Sequence, residues 1–149
     1  MGVDCKGICV IKEIPKKEKV YKLVEAELKE FINRNKKEDI DPENEFYSTK
    51  TSSSSKDMLL FHFKFNGEKR AIYLLIPSLI FKDDKDNIVG DKIRWSVGFW
   101  DQAVDVVTAV GYALKDIGTN YIDYNDSDDE DYVLMDSEIK KFYIKKHLK

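Results

Sequence analysis

The chain is poor in histidine, cysteine and arginine and has no long apolar run, and each shortage removes a class of function. Its longest apolar stretches, such as Ala71 to Pro77, are strand-sized. They fall far short of the roughly 20 uninterrupted residues that a membrane-spanning helix requires, so no membrane role is expected. Met1 to Gly7 holds neither a basic segment followed by an apolar one nor a small-residue cleavage site; export is not signalled, and a cytoplasmic location is expected.

The two cysteines, Cys5 and Cys9, fall in a segment that reads as a strand. At about 3.3 Å per residue their Cα atoms would lie roughly 13 Å apart, too far for a disulfide. With no other cysteine or histidine nearby, they read as reduced thiols packed on one strand face, not as metal ligands. Only two histidines occur, His62 and His147, so a histidine metal site or a Ser-His-Asp relay would depend on His62. Nucleotide-binding glycine loops, the nucleophile elbow G-x-S-x-G, the zinc motif H-E-x-x-H and C-x-x-C are all missing, and no cofactor or metal is expected. Lysine outnumbers arginine by 22 to 3. The side chain that clamps phosphate or reads guanine in bidentate fashion is nearly absent. Together with a net charge of −3, this disfavours nucleic acid as a partner.

What is present suffices for one domain. At 149 residues, 42% of them hydrophobic and 36% charged, with eight Phe, eight Tyr and two Trp, the chain can fill a single core and keep a charged surface. The whole of 1–149 therefore reads as one globular unit. Cys5 to Lys12 has the composition of a first strand. After Pro15, the apolar positions Val20, Leu23, Val24, Leu28, Phe31 and Ile32 recur with the period of a helix.

The strongest local signal is Asn66-Gly67, which favours a two-residue hairpin turn between Met58–Phe65 and Glu68–Ile76. That turn pairs Phe65 with Glu68, Phe63 with Arg70, Phe61 with Ile72 and Leu59 with Leu74. A second hairpin is expected from 79–81 and 92–97, and an edge strand from 45–51. Over 99–117 a strongly apolar helix is predicted, ended by Gly118, with Asp101, Asp105, Thr108, Tyr112 and Lys115 on its wet side. Strands at 121–124 and 132–135 and a terminal helix or tail over 137–149 complete the pattern. The expected fold is α+β: a mainly antiparallel sheet built from hairpins, two principal helices on one face, and a short C-terminal helix or tail.

Several constellations invite a chemical reading. His62 lies on the outer face of the hairpin, where it is a weak candidate for a general base; the plainer reading is a partly exposed strand residue. Trp95 and Trp100 could line a pocket, although aromatics at such a corner belong more often to the core. Asp101, Asp105 and Asp116 offer carboxylates along a helix, an arrangement usual on any wet helix face. The most informative feature is the run from Asp123 to Asp131, with six acidic residues in nine. It does not match a calcium loop. Counted from Asp123, the glycine position holds Asp128 and the closing glutamate position holds Leu134.

Three functions follow as expectations. In the leading one the chain is a small cytoplasmic binding or regulatory protein, not an enzyme. It engages a basic protein surface through an exposed acidic, Tyr-rich loop comprising Tyr121, Tyr124, Asp126, Asp128, Asp129, Glu130, Asp131 and Tyr132. Inhibitors and immunity-type proteins of phages and mobile elements offer an analogy of size and charge. The second is a small enzyme with a motif-free site around His62 and nearby acids. The third is a weak nucleic-acid binder that uses the lysines of the first helix and of the basic segment 137–149.

Overall fold

The computed structural model describes residues 5–11, 13, 15–36, 42–47, 58–76, 92–98, 103–123, 133–134 and 139–141. Seven strands form one sheet: β1 (Cys5–Ile11), β2 (Glu45–Phe46), β3 (Met58–Phe65), β4 (Glu68–Leu75), β5 (Lys92–Val97), β6 (Gly118–Asp123) and β7 (Val133–Leu134). Their order is β2-β3-β4-β5-β1-β6-β7, and every neighbouring pair is antiparallel. The helices α1 (Lys17–Arg34) and α2 (Ala103–Ala113) pack on each other and on the same face of the sheet. The fold is thus α+β with an antiparallel sheet, as expected. No described helix is long and apolar enough to cross a membrane.

The β3–β4 hairpin takes the predicted register over its whole length, from Phe65↔Glu68 to Met58↔Leu75. Asn66 and Gly67 have φ of 51° and 83°, the left-handed values that a type I′ turn demands and that Asn and Gly tolerate best. Period-two alternation then sorts the side chains. Phe61, Phe63, Ile72, Leu74, Ile93, Trp95 and Ile122 are buried on the helix-bearing face, against Val20, Val24, Leu28, Phe31 and Ile32 of α1 and Val106, Val107 and Val110 of α2. Tyr21 stacks on Phe61 and Phe31 on Phe65, so rings as well as aliphatic chains join helix to sheet.

β1 threads between β5 and β6, and two glycines permit the close approach. A Cβ on Gly7 would lie 2.1 Å from Cε2 of Trp95, and one on Gly118 would lie 2.1 Å from the Val10 carbonyl oxygen. The Trp95 indole N–H in turn donates to the Val107 carbonyl over 3.2 Å, tying α2 to β5. Cys5 and Cys9 are free and buried. Lacking hydration for a thiolate, Cys9 has its pKa pushed up from the ordinary 9.0 to about 12.

Three expectations need correcting. The second helix stops at Ala113 and residues 114–117 form turns, so Gly118 opens β6 instead of ending a helix; its place is set by the Val10 backbone lying against it. Thr108 and Tyr112, expected on the wet side of α2, are buried, and Val104 is exposed. Because α2 touches α1 as well as the sheet, more of its circumference is covered than one polar stripe suggests. Thr108 meets its burial by donating its hydroxyl to the Val104 carbonyl over 2.7 Å. Finally, β5 lies between β4 and β1, pairing Tyr73 with Ser96 and Lys6 with Ser96, which takes both of its edges there. The strand expected at 79–81 lies outside the described residues.

Candidate functional site

The face of the sheet turned away from α1 and α2 is where side chains meet solvent in combination. Alternation places Met58, Leu60, His62 and Lys64 of β3 there, with Lys69, Ala71, Tyr73 and Leu75 of β4. Lys92, Arg94 and Ser96 of β5, Lys6, Ile8 and Val10 of β1, and Tyr121 of β6 continue the face. Tyr73 and Leu75 are each 49% exposed, an arrangement that stability alone does not call for.

Register builds two rows across this face. In one, Leu60, Tyr73, Ser96 and Lys6 stand side by side on β3, β4, β5 and β1; in the next, Met58, Leu75, Arg94, Ile8 and Tyr121 span five strands. Where the rows run together, Lys6, Tyr73, Leu75, Arg94 and Ser96 line an open hollow of about 180 Å³. The floor is where β1 and β5 meet at Gly7 and Trp95. Cations outnumber acids on the face. Among the described residues this face carries Lys6, Lys64, Lys69, Lys92 and Arg94 against Glu45, which is paired in register with Lys64, and position 123 lies in register with Lys6. Among the described residues neither Lys6 nor Arg94 forms an ion pair. Counted over the described residues, the formal charge of this face is therefore positive although the chain as a whole is acidic.

His62 occupies the outer-face position expected of it. Its ring stacks on Tyr47, with centroids 6.4 Å apart and planes 9° apart, and no carboxylate or hydroxyl of the described residues hydrogen-bonds to it. A general base needs such an orienting partner. Trp95 is core, 2% exposed; Trp100 and Asp101 lie outside the described residues. Asp105 is half-buried and Asp116 exposed. No group of three His, Cys, Asp or Glu residues among those described is placed to hold a metal ion.

Of the acidic, Tyr-rich constellation, Tyr121 is half-buried on the outer face opposite Ile8. Tyr124, Asp126, Asp128, Asp129, Glu130, Asp131 and Tyr132 lie outside the described residues. The segment is rooted between Asp123, the end of β6, and Val133, the start of β7. Sequence reading missed the hollow, because its walls come from positions near 6, 74 and 95 that only strand order brings together. The signal available was the apolar far end of the hairpin's outer face, at Leu60, Tyr73 and Leu75. The chain matches no protein-family model, no curated protein and no solved structure.

Proposed function

We propose that this chain is a non-catalytic binding protein whose recognition surface is the cationic, tyrosine-bearing outer face of its sheet, and that the partner carries negative charge. The observation that carries this reading is the hollow at Tyr73 and Leu75. Two half-exposed apolar side chains stand beside Lys6 and Arg94, which combines contact area with electrostatic attraction. Catalysis would need a nucleophile or base oriented by a partner group, and among the described outer-face residues the imidazole, His62, is stacked on Tyr47.

The test is retention on an immobilised sulfated polyanion at low salt. The native chain is expected to be retained and to elute with rising salt; a Lys6→Glu/Arg94→Glu variant that keeps its circular dichroism and melting temperature is expected in the flow-through. Equal elution of the two chains would refute the assignment of this face.

A second reading keeps the acidic run as a docking element for a basic protein surface. It draws support from the rooting of the segment between two strands at one end of the sheet order, with Tyr121 at its base. Neutralising Asp126, Asp128, Asp129 and Asp131 to Asn and Ser should abolish capture of a basic partner and leave polyanion retention intact or strengthened. Undiminished capture would rule this second surface out.

A further inference from the structure

Resting on the assignment of the outer face as an anion-binding surface, we infer that its ligand is single-stranded nucleic acid. The register sets out a sequence of groups across four adjacent strands. Tyr73 on β4 shares one row with Lys6 on β1, followed by position 123, and Arg94 on β5 shares the next row with Tyr121 on β6, so across the strand order two aromatic rings flank two cations. With neighbouring strands about 4.8 Å apart and the two rows about 6.6 Å apart along the strands, the tyrosines are separated by roughly 16 Å. A few nucleotides bridge that distance, placing bases on the rings and phosphates on the cations between them. Stacking on an exposed ring asks only for a π-face, and cations tracking the backbone supply the rest. Lys64, Lys69 and Lys92 extend the positive charge to either side.

An acidic polypeptide meets the charge but not the surface. The backbone N–H and C=O groups of a sheet lie in its plane, spent on neighbouring strands, so an extended peptide laid on the face finds no backbone partners. Peptides that join sheets do so at an edge, here β2 or β7. A nucleic acid single strand carries its own flat apolar faces and has no such demand. A duplex hides its bases and would offer phosphates alone. The net charge of −3, which argued against nucleic acid, is an average over the whole chain. Six of the acidic residues fall between Asp123 and Asp131; the first of them is in register with Lys6, and the lysines and arginine of the outer face come from other parts of the sequence.

The experiment is fluorescence anisotropy of the full chain with a labelled twelve-residue oligothymidine and with an abasic phosphodiester of the same length. The oligothymidine is expected to bind at least about tenfold more tightly than the abasic strand, because each stacked base contributes about 1–3 kcal/mol. Tyr73→Ala should remove about tenfold of that affinity, and Tyr73→Phe, which keeps the ring, should retain it. Arg94→Ala should weaken both probes and lower the slope of log affinity against log salt by about 0.7, the loss of one phosphate contact on a single strand. A melting temperature for each variant separates these effects from unfolding. Equal binding of the two probes, or a Tyr73→Ala variant that binds oligothymidine like the native chain, overturns the nucleic-acid inference and leaves the anionic face standing. Absence of binding to both probes, with no retention on the sulfated polyanion, overturns both.

Discussion

Leu74 and Leu75 are neighbours in sequence, identical in composition, and opposite in fate. Leu74 is fully buried between the sheet and the two helices, whereas Leu75 is 49% exposed on the other face. The same contrast separates the faces as wholes. The helix-bearing side is a closed aliphatic and aromatic core with the indole of Trp95 hydrogen-bonded inside it. The opposite side mixes half-exposed Tyr73 and Leu75 with Lys6, Arg94 and Ser96 around a hollow. A sheet needs only one sealed face to fold. The second is free to meet solvent, and it is there that the proposed recognition surface lies.

The largest effects should come from the sealed face. Leu74→Ala is expected to cost about 2–5 kcal/mol, because its removal leaves a cavity among well-packed neighbours; urea denaturation measures it, and a loss below 1 kcal/mol would mean that the core can collapse around the gap. Gly7→Ala should cost about 1–3 kcal/mol. Its new methyl group would meet the Trp95 ring, and the ring, held by its bond to the Val107 carbonyl, has little freedom to retreat. A broadened near-ultraviolet tryptophan signal in that variant would report the displacement.

Legibility in the sequence followed the range of the interactions. The β3–β4 hairpin was readable to the residue, since Asn66-Gly67 sets the turn and the turn sets the register. The period of α1 was equally plain, and so was the fold class. What escaped was non-local. Nothing near Cys5 announces that β1 enters between β5 and β6, and nothing near Asn44 announces its bridging role. That buried side chain donates to the Asn35 carbonyl at the end of α1 and accepts from the Asn66 N–H in the hairpin turn. The candidate site divides in the same way. Alternation along the hairpin is enough to put Tyr73 and Leu75 together on its outer face, but Lys6 and Arg94 reach them only through strand order.

Cys9 offers a smaller, conditional probe of the sealed face. Burial holds its thiol near a pKa of about 12, against an ordinary 9.0. Between these values the folded chain keeps a proton that the unfolded chain has lost, so stability falls as pH rises above about 9. The contribution is fully present below that point and amounts to about 1 kcal/mol per pH unit beyond it. Other groups titrate in the same range, so the informative quantity is the difference between the native chain and Cys9→Ala. Their stabilities should converge between pH 9 and pH 11 in denaturant titrations; parallel curves would place water at the thiol and contradict its burial.

The smallest stability effect belongs to Leu75→Ala, expected at under about 1 kcal/mol because half of that side chain already faces water. Set beside Leu74→Ala, it turns the comparison of faces into a single measured ratio. The substitution also separates packing from recognition. Leu75 forms one wall of the hollow next to Tyr73 and Arg94, so, on the proposed binding role, a nearly silent change in stability should accompany a several-fold loss of affinity for the sulfated polyanion. If Leu75→Ala destabilises the fold as much as Leu74→Ala, the outer face is a second core layer, and its exposed side chains belong to folding and not to binding.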